Sequence, residues 1–135
     1  MARILLTEDD DGVRMFVQRA LMMDGHDVEI AEDGMDAMDV LNEQDGDFDL
    51  LLTDIKMPMM DGIALAKSAS KDWPEMTILM MTGFADQRER CEKLAVHIHD
   101  VVPKPFSLAE IRKAVKDALS GTVVAPQSLS ASMLN

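Results

Sequence analysis

The chain of 135 residues contains one cysteine, one tryptophan and no tyrosine. A lone thiol, Cys91, can form no intramolecular disulfide and no cysteine metal cluster, so a reducing, cytoplasmic setting is expected. Basic residues are also scarce: 13 Lys and Arg against 25 Asp and Glu give 13 − 25 = −12. Nucleic acids and anionic membrane surfaces are held by Lys/Arg patches, so neither is an expected partner. No apolar run reaches the roughly 18 residues that a membrane span needs. The run Ile4 to Leu6 behind Met1-Ala2-Arg3 is too short for a signal peptide. What is present is apolar bulk. Hydrophobic residues make up 47% of the chain, enough for a single domain of this size to fold without disulfides or metals.

Short apolar runs alternate with segments of helical period, the pattern of βα units around a parallel sheet. Ile4-Leu5-Leu6 reads as a buried strand ending in the acidic run Glu8 to Asp11. Val13, Phe16, Val17, Ala20 and Leu21 then form the apolar face of a helix stopped by Asp24-Gly25. Asp27 to Ala31 alternates as a half-buried or edge strand does. Ala37, Met38 and Leu41 share one face of a short helix over Met35 to Leu41. Leu50-Leu51-Leu52, within Phe48 to Thr53, shows no alternation, as in a central parallel strand covered on both faces. After Pro58 and Asp61-Gly62, a helix through Ile63, Leu65, Ala66 and Ala69 closes near Trp73-Pro74. Thr77 to Met81 is a strand, Asp86 to Leu94 a helix, and Asp100-Val101-Val102 a last strand. The final helix has Ser107 as cap with Glu110 three residues on, an apolar face of Leu108, Ile111, Val115, Ala118 and Leu119, and Gly121 to end it. Five βα units result, and the Ser/Ala-rich stretch Thr122 to Asn135 is expected to be a disordered tail.

Open parallel α/β sheets bind ligands outside the carboxyl ends of their strands. Five polar residues fall at those ends here: Glu8 and Asp9, Asp54, Thr82 and Lys104. Crowded carboxylates repel unless a cation compensates, and hard oxygen donors with open positions suit Mg²⁺. A carboxylate beside such a metal can act as nucleophile towards a phosphoryl group. A nearby Lys and Thr would hold the transferred oxygens.

Glu8-Asp9-Asp10, the stretch Leu52-Thr53-Asp54-Ile55-Lys56-Met57-Pro58, the Asp61-Gly62 turn, Met81-Thr82-Gly83 and Lys104-Pro105-Phe106 together resemble the receiver domain of response regulators. The resemblance covers about residues 3–120. It implies a CheY-like, flavodoxin-like fold, a doubly wound five-stranded parallel sheet in the order 2-1-3-4-5 with five helices, over a domain of residues 1–121. It implies that Asp54 is the phosphoacceptor and that Glu8, Asp9, Asp54 and the Lys56 backbone carbonyl hold Mg²⁺. Thr82 would be the switch hydroxyl and Lys104 the phosphate clamp, with a cis peptide between Lys104 and Pro105. The phosphoryl donor would be a histidine kinase or a histidine phosphotransferase. Output would pass through the helix over Asp86 to Leu94, the last strand and the last helix to a target protein, without enzymatic turnover of an external substrate.

The chain departs from the family pattern in places. Glu8 stands where the family usually has Asp. Val101 occupies the switch-aromatic position, so the usual ring-flip readout cannot operate. Lys56 and Phe84 fall at positions that tune phosphoryl lifetime in the family. An apolar Phe84 hindering the attacking water implies slow self-dephosphorylation; a lifetime of seconds that Phe84→Ala leaves unchanged would contradict this.

More narrowly, Met1 to Asp10, Leu51-Leu52-Thr53-Asp54 and Thr82-Gly83-Phe84 resemble single-domain regulators of the CpdR type. Those are alphaproteobacterial adaptors that, unphosphorylated, prime the ClpXP protease for selected substrates. The alternative is a phosphorelay shuttle handing its phosphoryl group to a second histidine protein. Phosphatases of the haloacid-dehalogenase type also form a phosphoaspartate, but they need a second Asp two residues on, where this chain has Lys56. A degenerate, unphosphorylated receiver is the remaining reading. Simpler roles exist for other features: Asp10 and Asp11 read as helix-start charges, Arg88, Arg90 and Lys93 as a solvated face, and His97 and His99 as loop or edge histidines rather than metal ligands. Among the 13 methionines, Met80 and Met81 read as core. Met57, Met59 and Met60 beside the site, and Met22 and Met23 at a helix end, could form an adaptable partner surface.

Overall fold

The computed structural model describes residues 1–83 and 98–121. The expected helix over Asp86 to Leu94, with Phe84, Arg88, Arg90, Cys91, Lys93 and His97, and the expected tail from Thr122 lie outside the described residues. Five parallel strands, β1 (Arg3–Thr7), β2 (Asp27–Ala31), β3 (Leu50–Asp54), β4 (Thr77–Thr82) and β5 (Asp100–Pro103), form one sheet in the order β2-β1-β3-β4-β5. Four helices lie among the described residues: α1 (Asp11–Met23), α2 (Gly34–Glu43), α3 (Gly62–Asp72) and α4 (Leu108–Ser120).

The strand period of two divides the core between the two faces of the sheet. Leu5, Leu51, Ile78, Met80 and Val101 face one way and pack with Ala37 and Leu41 of α2 and Ile63, Leu65, Ala66 and Ala69 of α3. Ile4, Leu6, Leu50, Leu52, Leu79 and Met81 face the other way, against Val17, Ala20 and Leu21 of α1 and Ile111, Val115 and Ala118 of α4. Covered on both sides, β3 is buried at all five positions, which is why its apolar run does not alternate. β2 sits at the sheet edge and is only partly covered.

Each of the four helices starts with a side chain that accepts a backbone N–H: Asp10 from Val13, Asp33 from Asp36, Asp61 from Ala64 and Ser107 from Glu110. Three of the chain's many aspartates are thereby structural. Ser107 and Glu110 complete a reciprocal capping box, and Gly121 ends α4 in the left-handed conformation at φ 74°.

Two expectations about side chains change. Phe16 does not join the buried face of α1 but is 40% exposed, tilted against Phe106 at a ring-centroid distance of 6.4 Å. Of the three methionines in the loop after β3, Met57 is buried and Met60 packs on the core; Met59 alone is widely exposed, at 79%.

Candidate functional site

The register aligns Thr7 with Thr53, Asp54 with Met81, and Thr82 with Pro103. The residues that follow or end β1, β3, β4 and β5 therefore meet at one rim. There Glu8, Asp9 and Asp54 each offer a carboxylate oxygen, and these oxygens all lie within 4.8 Å of one another. Lys104, just past β5, places Nζ 2.6 Å from Glu8 Oε1 and 3.1 Å from Asp54 Oδ2. Its backbone N–H donates to the Thr82 carbonyl at 2.7 Å. The Lys104–Pro105 peptide is cis.

Glu8 is held on every side. Its N–H donates to the Ala31 carbonyl at 3.2 Å, its carbonyl accepts from Arg14 Nη1 at 2.9 Å, and its Oε2 accepts from the Asp10 N–H at 3.1 Å. One carboxylate thus meets both Lys104, through Oε1, and the Asp10 amide, through Oε2. Asp54 Oδ1 accepts from the Ile55 N–H at 2.9 Å.

With all four groups ionised the pocket carries −3 + 1 = −2. Burial pushes the Glu8 carboxyl up to about 7, and the charge of Asp54 adds to the rise; the Lys104 hydrogen bond and the Asp10 amide oppose it. Burial raises Asp54 too, against the charge and hydrogen bond of Lys104. Burial disfavours the Lys104 ammonium, but the Glu8 hydrogen bond and the Asp54 charge outweigh it and raise its pKa. The site is thus a desolvated cluster short of positive charge. Hard oxygen donors at this spacing, carrying two uncompensated negative charges, fit a small divalent cation such as Mg²⁺.

The start of α3 fixes the end of β3. The Gly62 N–H donates to the Ile55 carbonyl at 2.7 Å. A Cβ on Gly62 would lie 2.1 Å from the Asp54 carbonyl oxygen and 2.9 Å from the Ile55 Cα. These are backbone atoms, so the strand end itself must move to admit a methyl group. Gly62→Ala is expected to destabilise the protein by about 2–3 kcal/mol, measured by urea unfolding; an unchanged midpoint would show that the loop yields without strain.

The Response regulator receiver domain family model matches residues 4–116. The chain belongs to this family. Response regulator receiver protein CpdR of Brucella abortus is 40% identical over 119 residues, covering 88% of this chain and 98% of that protein. Sensor kinase CckA of the same organism is 35% identical over 118 residues, covering 87% of this chain, which spans only 12% of the kinase. A CheY-like receiver from Methanospirillum hungatei superposes with a TM-score of 0.81 at 28% identity, covering 90% of this chain and 96% of that one. TrrA of Thermotoga maritima, solved in complex with Mg²⁺-BeF, superposes with a TM-score of 0.77 at 27% identity, covering 87% and 99% of the two chains.

In this receiver the residues singled out from sequence divide into three groups. Glu8, Asp9, Asp54 and Lys104 converge, and Thr82 is buried at the same end of β4. Lys56 follows β3 with its side chain exposed, and Val101 is buried in the core between the sheet and its α3 side. Phe84 lies outside the described residues. His99 precedes β5 and its N–H donates to the Ile78 carbonyl at 2.7 Å. Among the described residues, no helix is long and apolar enough to cross a membrane.

One residue escaped the sequence reading. Arg14, on α1, is 9% exposed and donates to the Glu8 carbonyl and to Asp11 Oδ1. It lies at i−3 from Val17 and i−7 from Leu21, both fully buried. An arginine on the apolar stripe of a helix was the signal that could have found it.

Proposed function

We propose that this receiver is a phosphorylation switch: Asp54 takes a phosphoryl group from a phosphohistidine, and the modified protein signals by binding another protein. The observation that carries this is the four-way convergence of Glu8, Asp9, Asp54 and Lys104 at one strand-end rim.

A carboxylate oxygen of Asp54 attacks phosphorus; the P–O bond forms as the P–N bond to the donor imidazole breaks, and the imidazole nitrogen leaves with the electron pair and takes up a proton. The Ile55 N–H on Oδ1 and the Lys104 ammonium 3.1 Å from Oδ2 orient the acceptor carboxylate. Lys104 then binds the arriving phosphoryl oxygens, joined by the Thr82 hydroxyl. Glu8, Asp9, Asp54 and the Lys56 carbonyl would hold Mg²⁺, which when bound neutralises charge shared by the acceptor and the incoming group. With Val101 in the core, no aromatic ring at that position can report the change. Readout falls to Thr82 and the Lys104 segment, which are joined by the 2.7 Å backbone hydrogen bond.

The likeness to CpdR favours an adaptor that engages its target, the ClpXP protease by that likeness, in one phosphorylation state. Passage of the phosphoryl group from Asp54 to a second histidine protein would instead make it a shuttle.

Intact mass after incubation with acetyl phosphate tests the switch. One phosphoryl adduct is expected with Mg²⁺, none with EDTA and none in Asp54→Asn. An adduct that persists in Asp54→Asn, or a folded wild type that takes none, refutes the proposal.

A further inference from the structure

We infer that Arg14 is a positioning residue for the divalent-cation pocket, holding the Glu8–Asp9 peptide so that both carboxylates point into it. The inference rests on the receiver reading above and names a part of the site that the reading does not use.

The geometry around Asp9 carries it. Asp9 is exposed and, among the described residues, its carboxylate has no hydrogen-bond or ion-pair partner, so the backbone, which sets the direction of its Cα–Cβ bond, is what brings it to the rim. That backbone is pinned on both sides. Beyond Asp9, the Asp10 N–H donates to Glu8 Oε2 at 3.1 Å, the Asp10 side chain caps α1 through the Val13 N–H at 2.9 Å, and the Asp10 carbonyl accepts from the Arg14 N–H at 2.9 Å. Before Asp9, the Glu8 carbonyl is held by Arg14 Nη1 at 2.9 Å in a buried hydrogen bond. That carbonyl belongs to the peptide joining the two acidic residues, so its direction fixes the plane from which Asp9 departs.

Arg suits this task because its planar fork serves two acceptors at once. One arm holds the Glu8 carbonyl and the other the Asp11 carboxylate, so the ion pair with Asp11 orients the guanidinium. The charge is thereby balanced by Asp11, outside the acidic cluster, while the positioning is delivered to it. Groups that hold the ligands of a metal in place change its affinity by about 10- to 100-fold when removed.

The test is Mg²⁺ binding by isothermal titration calorimetry at pH 8. It is run at a temperature where each variant is shown folded by circular dichroism, so that a loss of stability alone does not move the dissociation constant. Arg14→Met is expected to weaken Mg²⁺ about 10- to 100-fold. Arg14→Lys, which can reach the Glu8 carbonyl with one donor but loses the fork, is expected to fall between. Asp11→Asn, which removes the charge of the pair but keeps an amide oxygen that can accept from Arg14 Nη2 and hold the fork in place, is expected to bind within a few-fold of wild type. If Arg14→Met fails to fold, the ordering of Arg14→Lys and Asp11→Asn decides. Wild-type affinity in Arg14→Met or in Arg14→Lys, or a larger loss in Asp11→Asn than in Arg14→Lys, overturns the inference. A wild type that binds no Mg²⁺ at all overturns the proposed Mg²⁺-dependent phosphorylation switch instead, so the two failures are distinct.

Discussion

Glu8→Gln is expected to make the metal-free protein more stable at pH 8, by about 2 kcal/mol, while weakening its hold on Mg²⁺. The cause is the burial of a carboxylate whose one cationic partner, Lys104, is shared with Asp54. Folding raises the Glu8 carboxyl from its ordinary 4.5 to about 7. A group whose pKa rises on folding favours the native state in its protonated form. Its contribution is complete below pH 4.5 and is lost as pH climbs through about 7. At about 1.36 kcal/mol per pH unit, ionising Glu8 in place costs the fold about 3 kcal/mol by pH 8. Glutamine never ionises and so escapes that cost. It has one acceptor oxygen where Glu8 uses two, for Lys104 and for the Asp10 N–H. One hydrogen bond is forfeited, which returns about 1 kcal/mol. Urea unfolding in EDTA at pH 5 and pH 8 measures both parts: wild type weakens between the two, and the variant changes less. A variant less stable than wild type at pH 8 would contradict the electrostatic account of this pocket. Added Mg²⁺ should reverse the ranking, because a ligand stabilises only the state that binds it.

Lys104→Met, which keeps the stem and removes the charge, is expected to act in the opposite sense. Its ammonium stands 2.6 Å from Glu8 and 3.1 Å from Asp54, and both carboxylates are buried. Without it the two acids face each other unpaired, at a cost of about 3 kcal/mol at pH 8. The cost falls at pH 5, because Glu8 then takes up a proton rather than stay charged. Mg²⁺ should recover much of the loss and bind more tightly than in wild type, since the cation that competes for the same oxygens is gone. Equal stability of variant and wild type at both pH values would mean that Lys104 is solvated and not engaged as the distances indicate.

Much of this was legible in the order of residues. Leu50-Leu51-Leu52 named the central strand because only a strand covered on both faces is apolar without alternation. Ser107 and Glu110 marked the start of α4 to the residue, because a capping box is a local hydrogen-bond pattern. The strand-end rule gathered Glu8, Asp9, Asp54 and Lys104, although Glu8 and Lys104 lie 96 positions apart. What periodicity could not supply was the depth of individual side chains. It assigned Phe16 to the interior, yet that ring is 40% exposed beside Phe106. It passed over Arg14, which fills the stripe because its guanidinium finds acceptors at Glu8 and Asp11. The loop after β3 has no period at all. Which of Met57, Met59 and Met60 faces solvent depends on how that loop turns, with Met59 itself at φ 69°.

The central claim is that Asp54 carries the phosphoryl group, and the most direct measurement is to mark that residue chemically. Borohydride reduces an aspartyl phosphate to homoserine, so the protein would be phosphorylated with acetyl phosphate and Mg²⁺, reduced, digested and mapped by mass spectrometry. Homoserine at position 54, absent when EDTA replaces Mg²⁺, is the predicted result. Homoserine at Asp9 or any other aspartate's position instead, 5-hydroxynorvaline at Glu8, or neither product in the folded, Mg²⁺-supplied protein, would contradict it.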